Sequence, residues 1–294
     1  SPVIKSMTGY GRGEMVLRGR PITVELRSVN NRYLDCTVKM PRIYVFAEDA
    51  VKRLVQKRIS RGKVDVFVTI GPSERGDVSI SINRPVADGY YAALRDLKDS
   101  YQLKDDISVS LLSRFPEVFL VEKNQEDLEA MSADICTVLS LALEDFDAMR
   151  AREGEKLRQD VESKARTIAC LTGKVAERAP GIVADYRARL SAKMAEILQN
   201  TQIDEGRILT EAAIFADKVA VDEEVVRLRS HLSQLEHMLE QGGTIGRKLD
   251  FLIQEFNREA NTIGSKCSDI ETAGYVVEIK AEIEKIREQI QNIE

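Results

Sequence analysis

The sequence predicts an α+β amino-terminal domain, then a mainly α-helical region with long helical arms, and a C-terminal helical domain. Three observations predict it. Alternation of apolar and polar residues with period two is confined to the stretch before residue 123. Beyond it, Glu, Lys, Arg, Leu, Ile and Ala dominate, and the chain has 5% aromatic residues and no Trp, a bias toward long helices. A length of 294 residues leaves room for about two domains at ~150 residues each. The expected boundaries are 1–123, 124–205 and 206–294.

In chain order, residues 3–40 read as strands: Gly9, Gly11 and Gly13 precede two alternating runs, Thr23 to Val29 and Tyr33 to Val38, with turn signals at Gly19 to Pro21 and at Asn30-Asn31. Between Phe46 and Ile59, Ala47, Val51, Leu54, Val55 and Ile59 recur at helical spacing. Gly62 breaks the chain before a strand at Val64 to Ile70, Val78 to Ile82 alternates again, and Pro85 opens a helix to about Tyr101. An antiparallel sheet with helices on one face is the arrangement these elements suggest. Charged helices follow over 125–152, 153–178 and 181–199, with Pro180-Gly181 as the clearest break, and they read as arms or struts rather than a globular core. The last helix opens on Ser268-Asp269-Ile270-Glu271, a capping-box pattern with Ser268 as cap. It carries Val276, Ile279, Ile283, Ile286, Ile290 and Ile293 as one stripe that must pack on something.

Several classes are set aside by composition. No apolar run approaches the ~20 residues that span a bilayer, and nothing at the start resembles a secretory leader, so no membrane partner is expected. Ser1-Pro2, without Met, look like an expression remnant. Cys36, Cys136, Cys170 and Cys267 lie far apart with no CxxC pair, which suggests reduced thiols and a cytoplasmic protein. The net charge of −5 argues against a nucleic-acid binder, but its distribution does not. Residues 1–63 carry 14 Lys/Arg and 5 Asp/Glu, and Lys52, Arg53, Lys57, Arg58, Arg61 and Lys63 form a run with no acid among them. Such a patch matches a phosphate backbone; the plainer alternative is a solvated face, or one that docks on the acidic half of a neighbouring subunit.

Two C-terminal segments depart from generic helix composition. In the first, Val221, Val225, Leu228, Leu232, Leu235 and Leu239 make a core stripe, and Glu224, Arg227 and His231 fall at i, i+3 and i+7 along its edge. A carboxylate and an imidazole beside a core seam suit metal ligation or proton transfer. The ordinary alternative is a Glu223–Arg227 pair with His231 at a helix contact; His237 reads as surface. In the second segment, Leu249, Leu252, Phe256 and Ile263 form the buried face, while Glu255 and Glu259 share a strip and repel unless a cation or proton lies between them. Lys248 and Arg258 offer anion-binding groups, and Arg247 stands near a helix N-terminus after Gly243 to Gly246. Glu255, Glu259, His231 and Glu224, with Glu223 as alternative, would make an oxygen-rich, single-imidazole set that suits Mg²⁺ or Mn²⁺ better than structural zinc. Neutralisation of Glu255 and Glu259 by Arg258, Lys248 or Arg247 is the competing reading.

At these segments the chain resembles the YicC/YloC family of bacterial stress-associated proteins. The resemblance covers nearly the whole length: Ser6-Met7-Thr8-Gly9-Tyr10-Gly11, then Glu25 through Asp35, Arg152-Glu153-Gly154 with Leu157, Glu223-Glu224 through Ser230-His231, and Gln254-Glu255 with Asn257 through Thr262 and Gly264-Ser265-Lys266. It implies a metal-dependent endoribonuclease that cuts single-stranded or structured RNA, works in the cytoplasm and assembles as a ring-like homo-oligomer, a hexamer. Asn31 stands where many members carry His, which assigns that motif to RNA binding or turn formation here.

The expected reading is phosphodiester cleavage at a divalent ion, with His231, Glu255, Glu259, Arg258, Arg227 and Lys248 as the reacting or charge-stabilising groups. Arg12, Asn30, Arg32, Lys52, Arg53, Lys57, Arg58, Arg61, Lys63, Arg247 and Lys266 are the expected RNA-binding residues, with little base-specific readout because aromatic residues are few. A non-catalytic adapter that delivers RNA to another nuclease is the alternative, and a hydrolase of small phosphoesters is a third.

Overall fold

The computed structural model describes residues 2–74, 76, 78–123, 126–199 and 201–294. Ser1, read as part of a remnant, and position 125, where a helix was expected to begin, lie outside the described residues.

The first unit is a four-stranded sheet. Strands β1 (Gly9–Leu17) and β2 (Arg20–Val29) form a hairpin closed by Arg18 and Gly19, both at positive φ, as a two-residue hairpin turn requires. β3 (Leu34–Lys39), a 3-10 turn (Arg42–Ala47), α1 (Glu48–Arg58) and β4 (Gly62–Ile70) follow. The strand order is β1-β2-β4-β3, with β4 antiparallel to β2 and parallel to β3. The sheet is therefore mixed rather than antiparallel. The runs on either side of Asn30-Asn31 are not paired with each other, because α1 returns the chain to insert β4 between them. Ile22, Val24 and Leu26 of β2 and Val64 and Val66 of β4 point to one face, where Val51 and Val55 of α1 cover them.

A ribbon of β5 (Val78–Ile82) and β6 (Phe119–Lys123) encloses α2 (Arg84–Ser100) and the short α3 (Val109–Leu112). The strand β6 has no counterpart among the sequence expectations. Its pairing puts Val78, Ile80, Ile82, Phe119 and Val121 on one side, each between 46% and 69% exposed.

α4 runs unbroken from Leu128 to Leu198, 71 residues with Pro180 inside it. Three helices and a break at Pro180-Gly181 were expected instead. Proline removes one helical N–H, and Arg178 spans the defect by reaching Asp185 at 2.7 Å, while it also holds Asp269 at 3.1 Å. Nor is α4 a free strut. Its first turns, Ile135 to Phe146, complete the core over the sheet, and Val161, Ile168, Leu171 and Val175 enter a second core. Gly11 and Gly13 allow the first contact: a Cβ on Gly11 would overlap Ala142 O, and one on Gly13 would lie 2.6 Å from Val138 O.

The second core is filled by α6 (Asp222–Gln241), α7 (Gly246–Lys266) and α8 (Ile270–Ile290), while α5 (Glu205–Val219) packs on the far part of α4 through the Tyr186–Phe215 stack at 3.9 Å. The isoleucine stripe of α8 is buried inside this chain. Its helix is capped by Asp269, which accepts from Thr272 N–H at 3.0 Å, and not by Ser268. An antiparallel bridge between Ser6 and Ile293 joins the two units. Beneath it, the fully buried Arg150 donates to Ser6 O at 2.7 Å and to the Glu294 carboxylate, which also accepts from Ser60 N–H at 2.9 Å. All four cysteines are free. Among the described residues no helix is long and apolar enough to cross a membrane.

Candidate active site

α6 and α7 lie side by side as an antiparallel pair, and the polar edge of their apolar seam gathers most of the expected catalytic residues. The acids Asp222, Glu223 and Glu224 occupy the first turn of α6, where the helix dipole favours negative charge. Glu224 is 2% exposed and Glu259 is 4% exposed, so neither carboxylate is stable there without a partner. Arg227 supplies it: Nε donates to Glu259 Oε1 at 2.9 Å, and the terminal nitrogens approach Glu224 and Glu223 at 3.4 Å each. Lys266, at the end of α7, donates to Glu224 Oε1 at 2.9 Å and to Ala220 O at 3.1 Å. Burial pushes the Glu224 pKa up, but Lys266 and Arg227 outweigh it and hold the carboxyl below its ordinary value. The hydrogen bond to Glu259 in turn raises the Arg227 pKa.

This network changes the expected ligand set. The four residues Glu224, His231, Glu255 and Glu259 do not surround one cation within a chain, since the guanidinium of Arg227 joins the two buried carboxylates. Among the described residues no three of His, Cys, Asp and Glu gather as a metal-holding group. Three donor groups stay open. Both ring nitrogens of His231 are buried without a hydrogen-bond partner, and its ring lies 5.8 Å from that of Phe256. Glu255, next to Phe256, is half-buried and makes no ion pair among the described residues. Glu224 Oε2 is also buried and unpartnered. Lys248 and Arg258 are exposed beside Glu255 on α7, as the helical spacing predicts.

The expected RNA-binding residues separate into groups. β2 and β3 flank β4, so the Asn30 to Tyr33 loop must arch over the start of β4; there Gly62, at φ 121°, donates to Tyr33 O at 3.3 Å. That arch brings Asn30 and Arg32 to Arg61. Facing them is the first part of α7, fixed where Gly246 N–H donates to Glu294 O at 3.2 Å. Asn30, Arg32, Arg61 and Arg247 thus line one cleft of about 640 Å³ between the units. Lys57 and Arg58 line a smaller one, of about 250 Å³, with Lys5. The others do not converge. Arg12 pairs with Glu14 at 3.1 Å and Glu25 at 3.6 Å, Lys52 with Glu48 at 2.7 Å, and Arg53 donates to Asp49 O at 3.3 Å. Lys63 lies on the uncovered side of the sheet, and Lys266 serves Glu224. The sequence reasoning missed Gln254 and Asn257, which share the large cleft. Their spacing with Arg247 and Asp250 on one helix face is the signal that marks them.

Two family models match the chain: the N-terminal region of YicC-like endoribonucleases over residues 4–159, and the YicC-like endoribonuclease C-terminal domain over residues 175–294. The chain belongs to the YicC-like endoribonuclease family. A protein of Clostridioides difficile (strain 630) named probable endoribonuclease YicC is 39% identical over 290 residues, covering 98% of this chain and 99% of that protein. A protein of the same name from Haemophilus influenzae Rd is 34% identical over 292 residues, covering 99% of this chain and all of that one. The YicC-like models thus take in both walls of the cleft and the whole α6–α7 seam, and leave 160–174, inside α4, between them.

Proposed function

We propose that this chain is a divalent-metal-dependent endoribonuclease that cleaves RNA phosphodiester bonds at the α6–α7 seam. The names of its relatives support RNA as substrate. The observation that carries the site is His231, an imidazole with two buried, unpartnered nitrogens in a seam whose neighbouring carboxylates are held by ion pairs.

His231 and Glu255, with the open Oε2 of Glu224, are the donors that would hold a cation, a partial protein set of the kind that Mg²⁺ and Mn²⁺ tolerate. Such an ion, when bound, polarises a phosphoryl oxygen and acidifies a bound water. The protein's own contribution is positional. Arg227 and Lys266 fix Glu224 and Glu259 by ion pairs, which sets the edge of α6 that carries His231. Lys248 and Arg258 lie where they can offset charge that builds on phosphorus. The alternative role for His231, in place of holding the ion, is proton transfer to the leaving oxygen. The domain-junction arginines hold the backbone of the RNA, which makes affinity fall with salt. We place several copies in a ring-like homo-oligomer, a hexamer, in the cytoplasm; the uncovered apolar side of the β5–β6 ribbon supports self-association.

The test uses a labelled RNA with Mn²⁺, Mg²⁺ or EDTA. His231→Ala and Glu255→Gln are each expected to slow cleavage by about 10²–10⁴-fold with binding retained, and Mn²⁺ is expected to raise the wild-type melting temperature more than that of Glu255→Gln. Full cleavage by both variants removes this site. Tight binding with no cleavage under any of the three conditions favours the adapter.

A further inference from the structure

The cleft at the domain junction offers more than positive charge. Arg32, Arg61 and Arg247 line it without an ion-pair partner among the described residues, and Arg61 Nε is buried with no acceptor. Four carboxamides join them, Asn30 from the arching loop, Gln254 and Asn257 from α7 and Gln291 just past α8, none with a side-chain hydrogen bond among the described residues. Of the acids at the rim, Glu284 is held by Arg287 at 2.8 Å, which leaves Asp250 against three arginines. The cleft is positive, polar and, at about 640 Å³, within the ~300–1,000 Å³ range of small-ligand pockets.

Phosphate contacts alone need arginines and no carboxamides. A carboxamide presents a donor and an acceptor side by side, which matches the edge of a base, whereas a phosphate can use only the donor. Bases of single-stranded RNA become available to such groups when they leave the stack.

We propose that this cleft is a base-selective nucleotide subsite: an unstacked nucleotide of single-stranded RNA enters it, its phosphates on Arg32, Arg61 and Arg247, and its base edge on Gln254, Asn257 and Asn30. The proposal rests on the RNA reading given above and departs from the weak base readout that composition suggests. It makes the junction of the units, where Gln254 and Asn257 lie on either side of Glu255 along α7, the place where sequence preference originates.

The probes are fluorescent oligo(A), oligo(C) and oligo(U) of one length, bound in EDTA and followed by anisotropy. Wild type is expected to separate the best from the worst of them by at least about fivefold, the effect of one good amide–base pair. Gln254→Ala with Asn257→Ala is expected to bring that ratio close to one, and Gln254→Ala alone, at an exposed position, serves should the double variant melt early. Arg61→Gln is expected to weaken all three alike and to reduce the salt slope by about one. A wild type that binds the three equally overturns the proposal, as does a preference that survives loss of the carboxamides while Arg61→Gln acts as expected; the RNA reading stands in both cases. A wild type that binds none of them overturns both.

Discussion

Glu294 shows how a single side chain can report on the junction. Burial by itself would raise its pKa, but the Ser60 hydroxyl and the Arg150 guanidinium outweigh that and place the carboxyl below its ordinary range. A carboxyl depressed in the folded state contributes its stability in full above the unfolded pKa, ~4.3, and loses it as pH falls through the folded value. Thermal unfolding followed from neutrality down through the carboxyl range is therefore expected to show an acid-side loss that Glu294→Gln largely lacks. At neutral pH the same variant is expected to cost about 3 kcal/mol, because Arg150 is buried and loses its charged partner. Acid-side curves of equal slope for the two proteins would show that the carboxylate has no such role. None of this cluster is legible in the sequence, since Arg150 and Glu294 are 144 positions apart. By contrast, the Glu223–Arg227 pair and the half-burial of His231 follow from helical spacing alone.

Among the elements, strands with apolar alternation could be bounded from the sequence, whereas the one with glycine alternation was legible only as part of a strand-forming stretch over 3–40. In β1 the inward positions Gly9, Gly11 and Gly13 carry no side chain, so the apolar rhythm that marks β2 and β4 is silent there. Those positions are buried by α4 instead. Gly11→Ala is expected to destabilise by about 1–3 kcal/mol, since the clash is with helix backbone, which cannot rotate away. Chemical denaturation of the variant checks it, and a midpoint equal to wild type would mean that α4 stands off the sheet. Pro180 misled in the opposite direction. A proline reads as a boundary from local chemistry, whereas Arg178 bridges it with partners on both sides, one of them Asp269, 91 residues away.

At the scale of the molecule, the apolar side of the β5–β6 ribbon has no cover among the described residues, and no residue of α2 is buried either. A two-stranded ribbon is marginal by itself, so this surface is where the proposed ring would place a contact between copies. Light scattering is expected to give a mass several times the 33.0 kDa of one chain, six times for a hexamer, and Ile80→Asp with Val121→Asp is expected to lower it. A wild type that elutes as a single chain would rule the ring out. The sequence carries the apolar alternation of these strands, yet it could not tell an internal core from an intermolecular one.

The continuity of α4 has a mechanical corollary. At ~1.5 Å per residue its 71 residues extend over about 107 Å, and both cores are nailed to the same rod. No slack peptide lies between them for a swivel. Any opening of the junction cleft must flex that rod or unzip the Ser6–Ile293 bridge, so strain applied at one lobe is felt at the other.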